Sequence, residues 1–207
     1  AHAPGSVDAD ALHSPADVRL RPATGGGWRL ELKTVRQRFA RARGEPLTFP
    51  ERTSHAEVAW ERTPVTAIAA LDVEAYAAWL DRSGRVPGAR PCRADEWLRA
   101  ARGADARLFP AGDRLAAGDA NTYEAHPSTT VDAAGPDEVG AHAAARSPFD
   151  VDDLVGNVWE LARGPGGYEM RGGAWFYPQY LAQVVNRQAV EPGLRDPLLG
   201  ARICATP

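Results

Sequence analysis

The chain has 207 residues, 44% of them hydrophobic and 25% charged, with a formal net charge of −3. That is enough for one large domain with its own core, or one domain with a short extension. The weak acidic balance gives no electrostatic ground for DNA, RNA or anionic lipid as the main partner. The 17 Pro and 20 Gly favour turns and irregular loops over long helices. No apolar run approaches the roughly 20 residues of a membrane-spanning helix, so no membrane partner is expected. The opening residues Ala1 to Asp10 lack the features of a secretion signal, and the expected location is cytoplasmic. Cys92 and Cys204 are too few for a disulfide framework or a zinc site. A single bridge between them stays open beside the reading of Cys204 as a buried structural thiol.

Residues 1–16 read as a tail or linker, small and polar with Pro4 and Pro15, and the domain is placed at 17–207. Trp28 to Lys33 alternates apolar and polar residues, as a half-buried strand does. Thr34 is placed as the cap of a short basic helix, Val35 to Arg43, stopped by Gly44. Its Arg36, Arg38, Arg41 and Arg43 are read as a solvated face, because no stacking aromatics are interleaved. Pro64 to Ala70 reads as a short buried strand. Asp72 then caps a helix with Val73, Tyr76, Ala77 and Leu80 on one face. A second helix, Ala94 to Arg102, buries Ala94, Trp97, Leu98 and Ala101 and stops at Gly103 in a left-handed conformation. Residues 104–150 show no sustained period and are read as long ordered loops. Loops of that length are functional or are held by something, such as a metal ion.

The stretch Asp153-Leu-Val-Gly-Asn-Val-Trp-Glu160, followed by Arg171-Gly-Gly-Ala-Trp175, is the most specific signal. Glycine there permits positive φ or close approach, and each turn leads into a Trp too large to leave in water without cause. Five segments in order carry a resemblance: Pro64–Leu80; Arg90–Gly103; Phe109–Asp113 with Ala120-Asn121; Phe149–Glu160; and Arg171–Trp175 with Asn186-Arg187 and Gly200–Ala205. On these the chain resembles the formylglycine-generating-enzyme superfamily. The resemblance implies an α+β fold of the C-type lectin-like kind: two helices, small antiparallel sheets and long ordered loops. Two departures stand out. Pro91-Cys92-Arg93 replaces a Leu-Pro-Thr, losing a Thr cap worth about 1 kcal/mol unless Asp95 or another group replaces it. Ala201 stands where the family has Phe, so something else must fill that volume.

The enzyme that names the family binds copper through two cysteines, at the seventh and twelfth positions counted from the Arg of the signature. Here these are Tyr177 and Ala182. Copper(I) needs soft thiolates, so no copper is expected. A second branch holds non-haem iron through three histidines, largely from a separate helical domain that this chain lacks. His2, His13, His55, His126 and His142 are scattered and read as ordinary residues, so no iron is expected either. The resemblance implies structural calcium at Asn157 and Glu160, which offer the oxygen ligands calcium takes. It implies a second site starting at Asn121, with Asp132 or Asp137 as its acidic partner. The competing reading makes Asn157 a turn stabiliser and pairs Glu160 with an Arg. Asp150, Asp152 and Asp153 suggest acid–base catalysis less than a solvated loop with a structural Asp.

The segment after the Arg-Gly-Gly signature is the candidate ligand-binding face: Trp175, Phe176, Tyr177, Gln179, Tyr180, Leu181, Gln183 and Asn186. Its aromatics are rigid and amphipathic, and its amides are adaptable, as in binding loops. Variable proteins of diversity-generating retroelements, in the same superfamily, place their randomised residues in this segment. The function expected is non-catalytic binding of a protein or peptide ligand by a bacterial protein of that kind. The alternatives are a sensor or interaction domain of a bacterial signalling protein, or a metal-dependent oxidase. Fold alone does not choose among them.

Overall fold

The computed structural model describes residues 17–24, 26–34, 37–126 and 133–206. The 1–16 segment and Asp132 lie outside these residues, as do Val35 and Arg36.

The chain begins with an antiparallel meander of β1 (Asp17–Pro22), β2 (Trp28–Lys33) and β3 (Arg38–Ala42). The alternation in β2 is real: Leu30 and Leu32 are buried. The basic helix expected from Thr34 is instead the turn into β3. Thr34 exchanges bonds with Gln37 through its backbone N–H and its hydroxyl, a tight reversal rather than a helix start. Phe39 then faces inward against Phe49, with ring centroids 5.1 Å apart, while its arginine neighbours Arg38 and Arg41 flank it. Period 2 wins because one aromatic must be buried. A short pair, β4 (Leu47–Thr48) and β5 (Glu57–Val58), closes a first core around Leu30, Leu32, Phe39, Leu47, Phe49 and Val58.

No strand forms at Pro64–Ala70. Ala67 sits at φ 57, which breaks an extended run. The backbone N–H groups of Ala67 and Ala70 donate to Asp196 and Pro192 in a distant loop. Helix α1 (Ala70–Arg82) follows, with Ala70, Val73, Ala77 and Leu80 buried. Asp72 is not its N-cap. It is the third helical residue and accepts from the Ala69 N–H at 2.7 Å. Tyr76, expected on the inner face, is 52% exposed and stacks on Trp79. The buried stripe is centred one step away from it.

Helix α2 (Ala94–Arg102) forms as its period predicts, burying Ala94, Trp97 and Ala101. No side chain takes the place of the missing Thr cap; Glu96 reaches back and accepts from the Arg93 N–H at 3.0 Å. Asp95 instead pairs with the Arg93 side chain. Arg90 holds Glu96 through two bonds of 2.7 Å. These bonds drive the Glu96 pKa down to about 2. Gly103 ends the helix at φ 72, ψ −138, so the glycine is needed for its positive φ but lies outside the left-handed helical region.

Helix α2 packs on the main sheet, whose order is β10 (Leu199–Ala201), β7 (Trp159–Gly164), β8 (Gly167–Arg171), β9 (Gln188–Val190). β10 runs parallel to β7, an exception to the antiparallel rule of the other pairs. The last pair, β6 (Ala89–Pro91) with β11 (Ile203–Ala205), is antiparallel. Beside it Cys92 and Cys204 form a disulfide. The second core, which includes Val73, Trp159, Leu161, Trp175 and Leu199, lies between α1 and this sheet. The architecture is α+β, two helices with small sheets. From 104 to 126 and from 133 to 150, single 3-10 turns at Tyr123–Ala125 and Ala143–Ala145 are the regular structure.

Candidate functional site

The signature glycines do what their placement suggests. A Cβ on Gly156 (φ 73) would lie 2.5 Å from the Asn121 carbonyl oxygen, and one on Gly173 (φ 77) would lie 2.6 Å from the Ala182 Cβ. Both contacts draw distant loops onto the sheet. Arg171 is buried, donates to Glu169 at 2.6 Å, and reaches the Val184 carbonyl. It thereby ties the start of the candidate face to its far end.

The backbone of the face is pinned along its length. Trp175 N–H donates to the Asn157 carbonyl, and Tyr123 N–H to the Tyr177 carbonyl. The N–H of Gln179 donates to the Glu124 carboxylate at 2.9 Å. A 3-10 turn, Gln179–Ala182, buries Ala182 under Gly173. Val184 N–H reaches the Leu108 carbonyl, and the Asn186 amide donates to the Leu181 carbonyl. Side chains therefore project from a fixed frame.

Phe176 and Tyr177 are half-buried and packed edge-on at 5.7 Å, while Tyr180 is 55% exposed. With Leu181 and Asn186 they line a cavity of ≈ 550 Å³. Trp175 departs from the expected face. It is buried in the core, edge-on to Phe176 at 5.9 Å. Gln179 and Gln183 are half-buried and lie outside the cavity wall. The rest of the wall comes from Tyr123, Trp159 in β7, Met170 in β8, and Arg187 and Gln188 at β9. Sequence reading missed these. Strand pairing brings in Trp159, Met170 and Gln188, the Tyr123 N–H bond to the Tyr177 carbonyl brings in Tyr123, and Arg187 directly follows Asn186. Trp159 was singled out by its motif, but nothing in the motif showed which side it faces.

Of the residues expected to hold calcium, Asn121, Asn157 and Asp137 meet in one network and Glu160 lies in another. Asn157 Oδ1 accepts from Asn121 Nδ2 and from the Asp137 N–H, and its Nδ2 donates to the Asp137 carbonyl. Glu160 is turned elsewhere. Its two oxygens accept from Arg202 at 2.8 and 3.0 Å and from Trp97 Nε1 at 2.7 Å. The turn-stabilising and Arg-pairing reading is the one the geometry matches. Calcium needs six to eight oxygens, and those of Asn157 and Glu160 are already hydrogen-bonded in separate networks.

Asn121 Oδ1 is buried without a hydrogen-bond partner, and the carbonyls beside it are taken by a guanidinium. The Arg52 side chain is fully buried and donates to the carbonyls of Ala133, His55 and Gly135 and to Asp137 Oδ1 at 2.5 Å. Phe49 stacks on it at 3.8 Å. Asp137 Oδ2 faces His142 Nε2 at 2.7 Å. Burial opposes the Asp137 charge, but His142 and Arg52 outweigh it and its pKa is lowered. His126 is pushed down to about 4 by burial, with the charge of Arg52 adding to it. These contacts, with Asn121 and Asn157, hold the long loops together.

Ala201 does not have its missing volume filled. It lines a cleft of ≈ 990 Å³ with Val65, Ile68, Val73 and Tyr76. Of the three aspartates, Asp152 pairs with Arg146, and Asp153 accepts from the Gly140 N–H. Burial raises the Asp153 pKa. Among the described residues, no helix is long and apolar enough to cross a membrane.

A sequence profile of the sulfatase-modifying factor enzyme 1-like domain matches residues 19–207. No curated relative matches. Among solved structures, Treponema denticola variable protein 1 superposes with a TM-score of 0.63 at 13% identity, over 93% of this chain and 99% of that one. PvdO from Pseudomonas aeruginosa gives 0.58 at 20% identity, over 92% and 91%. CarF gives 0.58 at 18%, over 78% and 75%. At these identities the likeness is one of fold.

Proposed function

This chain belongs to the sulfatase-modifying factor enzyme 1-like domain family, and within it we propose a non-catalytic binding domain that grips a protein or peptide through the face at 176–188. One observation carries the reading: an aromatic-lined cavity, open at Tyr180, stands on a backbone that is hydrogen-bonded along its length. Rigid aromatics over a fixed frame give contact area at low entropic cost. The two positions that would carry copper thiolates are Tyr177, half-buried in the cavity wall, and Ala182, packed under Gly173. Both sulfurs of the two cysteines are committed to the Cys92–Cys204 bond. The fold shared with a variable protein supports a variable-protein setting. A near-copy of the coding sequence for 171–205 beside a reverse transcriptase gene is the genomic feature that setting requires.

The disulfide bears on location. Such bonds persist in oxidising compartments and are rare in the cytosol, so the setting we propose is an extracytoplasmic one rather than the cytoplasm.

The test is selection of a displayed random-peptide library on the full chain, followed by binding to Tyr180→Ala and Phe176→Ala. Enriched peptides should lose at least about 2 kcal/mol of binding in these variants. A library that yields no binder, or binders indifferent to both substitutions, would overturn the proposal. Tight, stoichiometric copper(I) uptake would favour the oxidase instead.

A further inference from the structure

Three of the five histidines, far apart in sequence, share one neighbourhood. Donor atoms of His55, Asp137 and His142 all lie within 4.8 Å of one another. The His55 and His142 rings are 5.1 Å apart. His126 shares the electrostatic field of Arg52, Asp137, His142 and His55, and both its ring nitrogens are buried without a hydrogen-bond partner. A buried imidazole with two unmet nitrogens is uncommon, and it stands beside exactly the kind of groups that ligate metals.

His142 adds a second, independent constraint. Its Nδ1 faces the Gly118 carbonyl at 3.2 Å and its Nε2 faces Asp137 Oδ2 at 2.7 Å. Both partners are acceptors, so each nitrogen must carry a proton. The proton on Nε2 sits between an imidazole and a carboxylate, the position a metal ion takes in many sites. Arg52 has already taken the carbonyl oxygens and Asp137 Oδ1. What remains is two imidazole nitrogens and one carboxylate oxygen. That donor set suits a borderline first-row ion and not calcium.

We propose that His55, His142 and Asp137 bind one divalent first-row ion, zinc being the best match to their donors, with solvent completing the shell. The ion displaces the proton on His142 Nε2, which leaves to solvent. Tetrahedral bonds of about 2.0–2.1 Å put donors about 3.3 Å apart. The His142–Asp137 pair therefore opens slightly and the exposed His55 ring closes in. His55 is the entry side, since its ring reaches solvent while Asp137 and His142 are buried. The fixed charge of Arg52 repels the ion, so binding is weaker than in an all-anionic site. His55 adopts φ 51, a strained conformation of the sort found at ligand clamps.

The experiment is titration of the full chain with cobalt(II) chloride near neutral pH, read by visible d–d absorption, with zinc and calcium as competitors. The expected result is saturation at about one equivalent, displacement by zinc, and indifference to calcium. His55→Ala, at an exposed ring, should keep the melting temperature and weaken binding by about 100-fold. His2→Ala with His13→Ala should leave binding unchanged. Absence of the bands up to millimolar cobalt would overturn the site. So would a His55→Ala titration that saturates at the same cobalt concentration as the unaltered chain.

Discussion

The buried network around Arg52 and the aromatic face around Tyr180 solve opposite problems with the same loop-rich chain. In the network every strong polar group is turned inward: Arg52 donates to a carboxylate and three carbonyls, and Asn157 ties Asn121 to Asp137. On the face the backbone is equally well bonded, but the side chains of Tyr123 and Tyr180 are left 59% and 55% exposed. The first region converts long irregular segments into a rigid body without regular structure. The second displays side chains on that body. Stability is concentrated in one region and recognition in the other, so substitutions should separate the two.

The largest effect is expected from breaking the network. Arg52→Ala leaves Asp137 buried beside an unpartnered loop, and loss of one member of a buried pair costs about 3–5 kcal/mol. Urea unfolding measures it. A loss below about 1 kcal/mol would mean that the network does not organise the loops. Next comes the Cys92–Cys204 bond, which closes a segment of 112 residues. Its removal by Cys92→Ala with Cys204→Ala should cost about 2–5 kcal/mol, read in the same way. Gly156→Ala forces a side chain at φ 73 against the Asn121 carbonyl and should cost about 1–3 kcal/mol, more than an alanine elsewhere in that loop. On the face, Tyr180→Ala should change stability by no more than about 0.5 kcal/mol while weakening peptide binding. A large fall in its melting temperature would erase the contrast between the regions.

The smallest effects are the most discriminating. If side-chain bonds hold the loops, added calcium chloride should leave the melting temperature within about 1 °C, since a newly bound ion would add stabilisation by mass action. Acid should act partly through Glu96. Its folded pKa, about 2, lies below its ordinary value of 4.5, so the folded state binds fewer protons than the unfolded one. That stabilisation is full above the unfolded pKa and is lost as pH falls from 4.5 through 2. Glu96→Gln should flatten that part of the stability-against-pH curve.

Local signals were legible where they were also decisive. Helix α2 followed from its period and a final glycine, and β2 from alternation, because each buries a face that neighbouring chain alone defines. The 35–43 region misled because four arginines hid a single inward Phe39. Pro64–Ala70 misled because its partner is the 192–196 loop rather than a strand. The signature around Asn157 announced the family, yet its chemistry depended on Asp137 and Asn121, and Arg52 meets Asp137 across 85 residues. No pattern within one segment encodes such a meeting. The same holds for the cavity: Tyr177, Tyr180 and Leu181 were readable as a cluster, whereas Met170 arrives by strand pairing and Tyr123 from a 3-10 turn distant in the chain.

Amide hydrogen exchange with a selected peptide bound tests the binding claim most directly. The account predicts new protection confined to Tyr123 and to the 176–188 segment. Protection mapping to the ≈ 990 Å³ cleft beside Tyr76, with 176–188 unchanged, would contradict it.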